Sequence, residues 1–249
     1  MKNETQAFIE KLFTDSIIDT IKRVKLDKGN SRPFHSRLIG EEILKVSKFE
    51  RSYSTSFGQK AIEQMSLALA KEVKGTSNAS TQKKSNIRIC KQDSDYIEAH
   101  LKSLKENTLG REPEWSLDCK ILKRKSSNLE LRIISDLWFN RNNIDYFFSI
   151  KTVKPNIDQS REAKRDLLSL LAHNKNCKPY FALPYNPYGD LKKDYAHTPP
   201  FSVFNFLEDE CILIGEEYWD LIGGKGTYHQ ILDIAEQVGK KSKKLIDSM

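Results

Sequence analysis

The stretch that decides the fold is IISDLWFNRNNIDYFFSIK, residues 133–151. It contains two runs rich in Ile, Leu, Phe, Tyr and Trp, residue types that favour a pleated, half-buried backbone. The segment NRNN (140–143) separates the two runs and has the composition of a tight turn between strands. The pattern therefore predicts a β-hairpin at the centre of the fold.

The segments around this hairpin predict helices that cover a sheet. Apolar residues at helical spacing predict helices at 4–24, 38–46, 59–73, 94–105, 158–173 and 228–246. Further strands are predicted at 87–90, 115–124, 179–183 and 211–215. Breaks or loops are predicted at 25–34, 49–59, 74–86 and 184–200. The order of elements predicts an α/β fold in which a central mixed β-sheet is flanked by helices.

We expect one domain spanning residues 1–249, because the chain is long enough for one well-filled core and shows no internal repeat. Within it we distinguish an N-terminal helical part (1–75), a core (85–184), and a loop with a C-terminal helical part (185–249).

The composition excludes several classes of protein. Hydrophobic residues make up 38% and charged residues 30% of the chain, as in folded globular proteins. There is no apolar run long enough for a membrane span and no secretory signal, so we expect a cytoplasmic protein. Four widely spaced cysteines without a CxxC pair argue against a zinc site. The net charge of +7 favours a polyanionic partner such as nucleic acid.

Three polar residues on the predicted hairpin could carry chemistry. Asp136 lies on the first strand, and Ser149 and Lys151 lie on the second, where alternation places both on one face. A lysine at such a position is unusual for a central strand. A carboxylate that binds a hard cation, together with a lysine that positions water, is a combination suited to phosphodiester hydrolysis. The alternative for Asp136 is a salt bridge at a strand edge.

One carboxylate cannot hold such a cation, so other acids are needed. Glu162 is a candidate because a helix that follows the second strand can turn its side chain back over the strand end. Glu63 is a second candidate if its helix packs beside the hairpin. The alternatives are a surface pair of Glu162 with Arg165, three residues on, and a solvated helix face for Glu63.

The arrangement Asp136…Ser149-Ile-Lys151 resembles the PD-(D/E)xK nuclease motif in its serine-substituted SxK form. Two further blocks, FERSYSTSFGQKAIEQMSLALAK (49–71) and SIKTVKPNIDQSREAKRDLL (149–168), resemble parts of type II restriction endonucleases, the second those of the TdeIII type. CILIGEEYWDLIGG (211–224) is similar to the C-terminal block of that family. The sequence departs from the motif in lacking a proline before Asp136 and in having Ser149 in place of an acid.

The resemblance implies a function and a set of roles. It implies a restriction-endonuclease-like core at 85–184 and cleavage of duplex DNA with Mg²⁺ at a short site, GGNCC in the described family. It implies that Asp136, with Glu162 or Glu63, holds the metal ion and that Lys151 orients the attacking water. Since one site cuts one strand, we expect a homodimer on a palindromic target. A cognate DNA methyltransferase is the implied functional partner.

Basic and aromatic residues near the predicted site could contact DNA. Lys154 follows the second strand, and the loop at 184–200 carries Lys192, Lys193, Tyr195 and His197. Such residues suit phosphate and groove contacts, although a solvated loop would explain them too. Two rival functions remain: a non-catalytic DNA-binding protein on the same scaffold, and a structure-specific or repair nuclease.

Overall fold

The computed structural model describes residues 1–26, 32–123, 128–151 and 153–247. The described α-helices are α1 (Asn3–Leu26), α2 (Pro33–Ile39), α3 (Glu41–Ser56), α4 (Ile62–Glu72), α5 (Lys91–Lys105), α6 (Trp115–Lys120), α7 (Ile157–His173), α8 (Glu216–Gly223) and α9 (Thr227–Asp247). A π-helical turn at Phe57–Ala61 joins α3 to α4. The described strands are β1 (Thr76–Ile89), β2 (Leu129–Arg141), β3 (Ile144–Ile150), β4 (Lys178–Leu183) and β5 (Ile212–Ile214).

The five strands form one mixed sheet in the order β1-β2-β3-β4-β5. β1, β2 and β3 are antiparallel neighbours, whereas β4 runs parallel to β3 and β5 runs parallel to β4. Helix α7 connects β3 to its parallel neighbour β4, which is the crossover that parallel strands require. The predicted α/β class with a mixed sheet flanked by helices is therefore confirmed.

The predicted central hairpin is formed by β2 and β3. Its two strands pair from Leu137 opposite Phe148 down to Arg141 opposite Ile144. The turn residues Asn142 and Asn143 have φ angles of 53° and 63°. Asn tolerates this left-handed region better than most residues, which explains why NRNN closes the hairpin so tightly.

Helices pack on both faces of the sheet and bury two apolar clusters. On one face α5 and α7 cover β1, β2 and β4, with Leu101, Leu168 and Phe181 inaccessible to solvent. On the other face α1, α4, α8 and α9 cover the hairpin around Phe139 and Phe148. Among the described residues, no helix is both long and apolar enough to cross a membrane.

Three local predictions were wrong. Residues 74–86, expected to be a loop, lie mostly in β1, which pairs along almost its whole length with β2. Its polar residues gave no strand signal because backbone hydrogen bonds to β2, rather than burial, hold it in place. Residues 115–124, expected to be a strand, begin with helix α6, whose first N–H, from Trp115, donates to Asp209 Oδ1 at 2.8 Å.

The third correction concerns 49–59, expected to be turn-like. These residues lie in α3 and the π-helical turn, where Phe49, Tyr53 and Phe57 stack at intervals of four residues. That interval places the rings one above another on a helix. Residues 27–31 of the break predicted at 25–34 lie outside the described residues.

Candidate active site

The candidate site lies at a fork where β2 and β3 separate. Their ladder ends at the pair Leu137 and Phe148. Beyond it, the Ile150 N–H donates to Asp136 Oδ2 at 2.7 Å, so a side chain replaces the backbone carbonyl that would accept this bond in a regular sheet. On its other side β3 stays paired, because the Lys151 N–H donates to the Ala182 carbonyl at 3.0 Å.

The two-stranded ribbon formed by β1 and β2 is irregular at the same point, because the side chains of β2 switch there from one face of the sheet to the other. In a regular strand, residues four apart share a face, yet Ile133 packs in the cluster under α7 and Leu137 packs in the cluster under α4. Opposite this change, between the pairs Thr81–Leu137 and Lys83–Ser135, stands Gln82, with a φ of 49°. Asp136 and Gln82 therefore face each other where the twist of the ribbon is interrupted.

The fork brings Asp136, Lys151 and Glu63 together. Lys151 Nζ lies 3.9 Å from Asp136 Oδ2. Glu63 reaches the fork from the first turn of α4, and the Gln82 side-chain amide donates to Glu63 Oε1 at 2.8 Å and to Asp136 Oδ1 at 3.2 Å. Burial, and then the negative charge of Asp136, raise the pKa of Glu63, against the effects of Gln82 and Lys151.

Ser149 lies on β3 two residues before Lys151, half-buried and opposite Phe181 of β4. A hydroxyl there carries no charge, so the negative charge of the fork comes from the acids on the neighbouring elements.

Helix α7 carries a second carboxylate besides the predicted Glu162. The side chain of Glu162 is exposed to solvent. One turn further along, Asp166 is partly buried and within electrostatic reach of Lys151 and Asp136. Burial, followed by the charge of Glu162, raises the pKa of Asp166 to about 6. Partial burial and the influence of Lys151 and Asp136 make Asp166 a second candidate acid on α7, beside Glu162.

Comparison with known proteins identifies the family. Residues 1–239 match the family model described as "Type II restriction endonuclease, HinfI". The chain belongs to the HinfI family of type II restriction endonucleases. Its relatives from Herpetosiphon aurantiacus include the type II restriction enzymes HgiEI (30% identical over 224 residues), HgiCII (28% over 221) and HgiBI (27% over 223). Each alignment covers 85% of this chain and 78% of the relative.

Family membership makes the protein an enzyme, a site-specific deoxyribonuclease, as the sequence predicted. The predicted resemblance is confirmed at the level of type II restriction endonucleases, with the HinfI type as the matching family. The likeness to the TdeIII type and to the serine-substituted motif stays a prediction.

The expected DNA contacts divide into two groups. Lys193 is exposed, and Lys154 is exposed with its Nζ 5.2 Å from the centre of the Tyr188 ring, so both could reach a phosphate. Lys192 instead donates to the carbonyl oxygens of Asp209 at 3.1 Å and Ile212 at 2.8 Å.

The other two predicted DNA contacts of the 184–200 loop, Tyr195 and His197, also bind to the rest of the protein and so hold the loop in place. Tyr195 is 3% exposed and donates to the Val153 carbonyl at 2.9 Å, so a direct DNA contact by its ring does not fit the structure. A ring nitrogen of His197 lies 3.0 Å from the Pro155 carbonyl. These contacts fasten the loop to the segment that follows β3, close to Lys154.

The donor set of the fork fits a divalent metal ion, which restriction endonucleases generally use. In the part of the chain that the structure describes, no three His, Cys, Asp or Glu side chains converge as a closed metal site. Mg²⁺, however, usually keeps several waters and is held by one or two carboxylates together with substrate phosphates. Glu63 and Asp136, bridged by one amide, would provide such an open pair of oxygen ligands.

Sequence reasoning missed Gln82 and Asp166. Gln82 stands in a polar stretch without a strand signal, and its role depends on pairing with a strand about fifty residues away. Asp166 could have been found, because it lies four residues after Glu162 and next to Leu167 on the buried side of α7.

Proposed function

We propose that this enzyme hydrolyses both strands of duplex DNA at a short specific site, with Mg²⁺, and leaves 5′-phosphates. The observation that carries the proposal is the fork at which Asp136, Glu63 and Lys151 meet, with the lysine 3.9 Å from Asp136. The described TdeIII-type target, GGNCC, is the first sequence to test.

The residues of the fork have complementary roles in this reaction. Asp136 and Glu63 would hold the metal ion, and Glu162 would add a ligand only if its exposed side chain turned toward the fork. The bound ion would supply positive charge at the phosphate and a lowered pKa for water. Lys151 would orient the attacking water and stabilise the charge that develops on the phosphate. Ser149 would leave room for water where the motif usually has an acid.

We also propose that two copies act together, because each chain provides one fork and a duplex has two strands. Helices α2 and α3 expose a row of apolar side chains to solvent, among them Phe34 (77%), Leu38 (82%) and Val46 (66%). Exposed apolar patches on a folded protein often mark an interface.

A restriction enzyme of this kind requires protection of the host DNA. We therefore propose a methyltransferase of the same specificity as its functional partner, and the cytoplasm, where both would meet DNA, as its place of action.

The test is cleavage of a plasmid by the purified protein with Mg²⁺. We expect discrete fragments whose ends, when sequenced, share one short symmetric site. Lys151→Ala should abolish cleavage while folding and DNA binding persist, whereas the exposed Lys175→Ala should behave like the parent. Binding without cleavage by the parent would support the non-catalytic rival, and cleavage restricted to branched or damaged DNA would support a repair nuclease.

The dimer has its own test. Val46→Glu should convert the dimer to a monomer in light scattering and shift products from linear toward nicked plasmid. An unchanged mass would contradict the proposed interface.

A further inference from the structure

Among the residues that the structure describes, Gln82 is the one whose side chain hydrogen-bonds to both acids of the fork. A single nitrogen, Nε2, donates to Glu63 Oε1 at 2.8 Å and to Asp136 Oδ1 at 3.2 Å. An amide NH₂ group has two hydrogens, so both are used by carboxylates. A neutral group therefore stands between two acids where a positive charge would be expected.

The backbone of Gln82 is held in a costly conformation. Its φ of 49° is in the left-handed region, which a non-glycine residue in a strand seldom adopts. Such conformations persist when the surroundings impose them, and they concentrate at functional sites. Here the change of face in the β1–β2 ribbon imposes it, and the result is a side chain directed at the two acids.

The two oxygens of Asp136 have different partners. Oδ2 accepts the Ile150 N–H and lies nearest Lys151. Oδ1 shares the Gln82 amide with Glu63. Gln82 occupies one oxygen of each acid, Glu63 Oε1 and Asp136 Oδ1, so a cation that bridges the two acids through these oxygens competes with its amide.

We propose that Gln82 is a positioning residue that holds Glu63 and Asp136 together in the metal-free site and releases them when a divalent cation binds. This inference rests on the proposed function, in which these two acids hold the metal ion. The amide stands in for the cation: it limits repulsion between the carboxylates, yet it carries no charge and is displaced by an ion that does.

The consequence is a measurable competition between Gln82 and the cation. Removing the amide leaves the metal-free site without its donor but takes nothing from the metal-bound site. Hydrogen bonds to charged groups are among the stronger ones in proteins, so we expect the variant to bind Mg²⁺ on the order of tenfold more tightly. If Gln82 instead stayed bonded to the acids with the metal present, its loss would weaken binding.

The experiment measures Mg²⁺ binding by calorimetry in the absence of DNA, at constant ionic strength. Gln82→Gly is the main variant because glycine adopts a positive φ freely. Gln82→Asn is the second, since asparagine tolerates this φ and its shorter amide cannot bridge both acids. Lys84→Ala, an exposed change on the same strand, is the control. Tighter binding in either folded Gln82 variant supports the proposal, and equal or weaker binding overturns it.

A double variant, Glu63→Gln with Asp136→Asn, separates this proposal from the function on which it rests. Loss of Mg²⁺ binding in the double variant together with unchanged binding in Gln82→Gly overturns only the role of Gln82. Parent-like Mg²⁺ binding in the double variant overturns the ligand assignment and the role of Gln82 with it.

Discussion

Replacing Asp166 with Asn is expected to stabilise the protein at neutral pH. The pKa of Asp166 is raised from 3.8 to about 6, first by burial and then by the charge of Glu162. The folded state thus binds this proton more tightly than the unfolded state does. The stability linked to it is present at low pH and is lost as the pH rises from about 4 to about 6.

The size of the effect follows from the shift. A shift of about two pKa units, at ~1.4 kcal/mol per unit, corresponds to about 3 kcal/mol. Asn cannot ionise, so Asp166→Asn should exceed the parent in free energy of unfolding by up to about 3 kcal/mol above pH 7. Near pH 4, where the parent carboxyl is also neutral, the difference should nearly vanish.

The assay is urea unfolding followed by tryptophan fluorescence at several pH values between 4.5 and 8. Asp118, whose pKa is held well below its usual range by His100 and Lys164 despite its burial, stays ionised throughout this window. Asp158→Asn is the matched control on the same helix, because its side chain is 89% exposed. If the free energy of unfolding of Asp166→Asn differed from that of the parent by the same amount at every pH, the reasoning would be refuted.

Three further predictions concern the buried ion pair of Lys164 with Asp118, the 184–200 loop and the fork. Lys164→Met should cost up to ~3–5 kcal/mol of unfolding free energy, because Lys164 is fully buried and pairs with the buried Asp118, which would keep only Arg111 and His100 as partners; a loss below about 1 kcal/mol in urea unfolding would contradict this. Lys193→Ala should lower the slope of log affinity against log salt by about one, which DNA binding at several salt concentrations measures; an unchanged slope would remove Lys193 from the phosphate contacts. Glu63→Gln should reduce the cleavage rate by at least ~100-fold, whereas Glu162→Gln should change it less than about tenfold; the reverse order in single-turnover kinetics would return the ligand role to Glu162.

The central hairpin and its chemistry could be predicted because their signals are local. Strand composition, the NRNN turn and the spacing of Ser149 and Lys151 all lie within 133–151. The pairing of β2 with β3 follows directly from a turn that short. Helices α1, α7 and α9 were found for the same reason, since each has an apolar stripe of its own.

The features that could not be predicted from the sequence depend on contacts between residues far apart in the chain. β1 is polar and is held by its pairing with β2, and no pattern within 74–86 reveals that partner. Sequence reasoning named Glu162 on α7 and passed over Asp166, one turn further along, because the difference between the exposed Glu162 and the half-buried Asp166 depends on tertiary packing. Gln82 acquires its importance only from the face change in the ribbon.

The hydrogen bond from the Ile150 amide to Asp136 gives the enzyme a backbone NMR signal that responds to events at the fork. The nitrogen of this amide lies 2.7 Å from Asp136 Oδ2, so its proton is bonded to a carboxylate of the fork instead of the carbonyl it would meet in an unbroken ladder. The chemical shift of this proton and its rate of exchange with deuterated water will therefore report the charge of Asp136 and the binding of a metal ion to it. A single ¹⁵N-labelled backbone position can thus follow metal and DNA binding without a dye, a substitution or a cleavage assay.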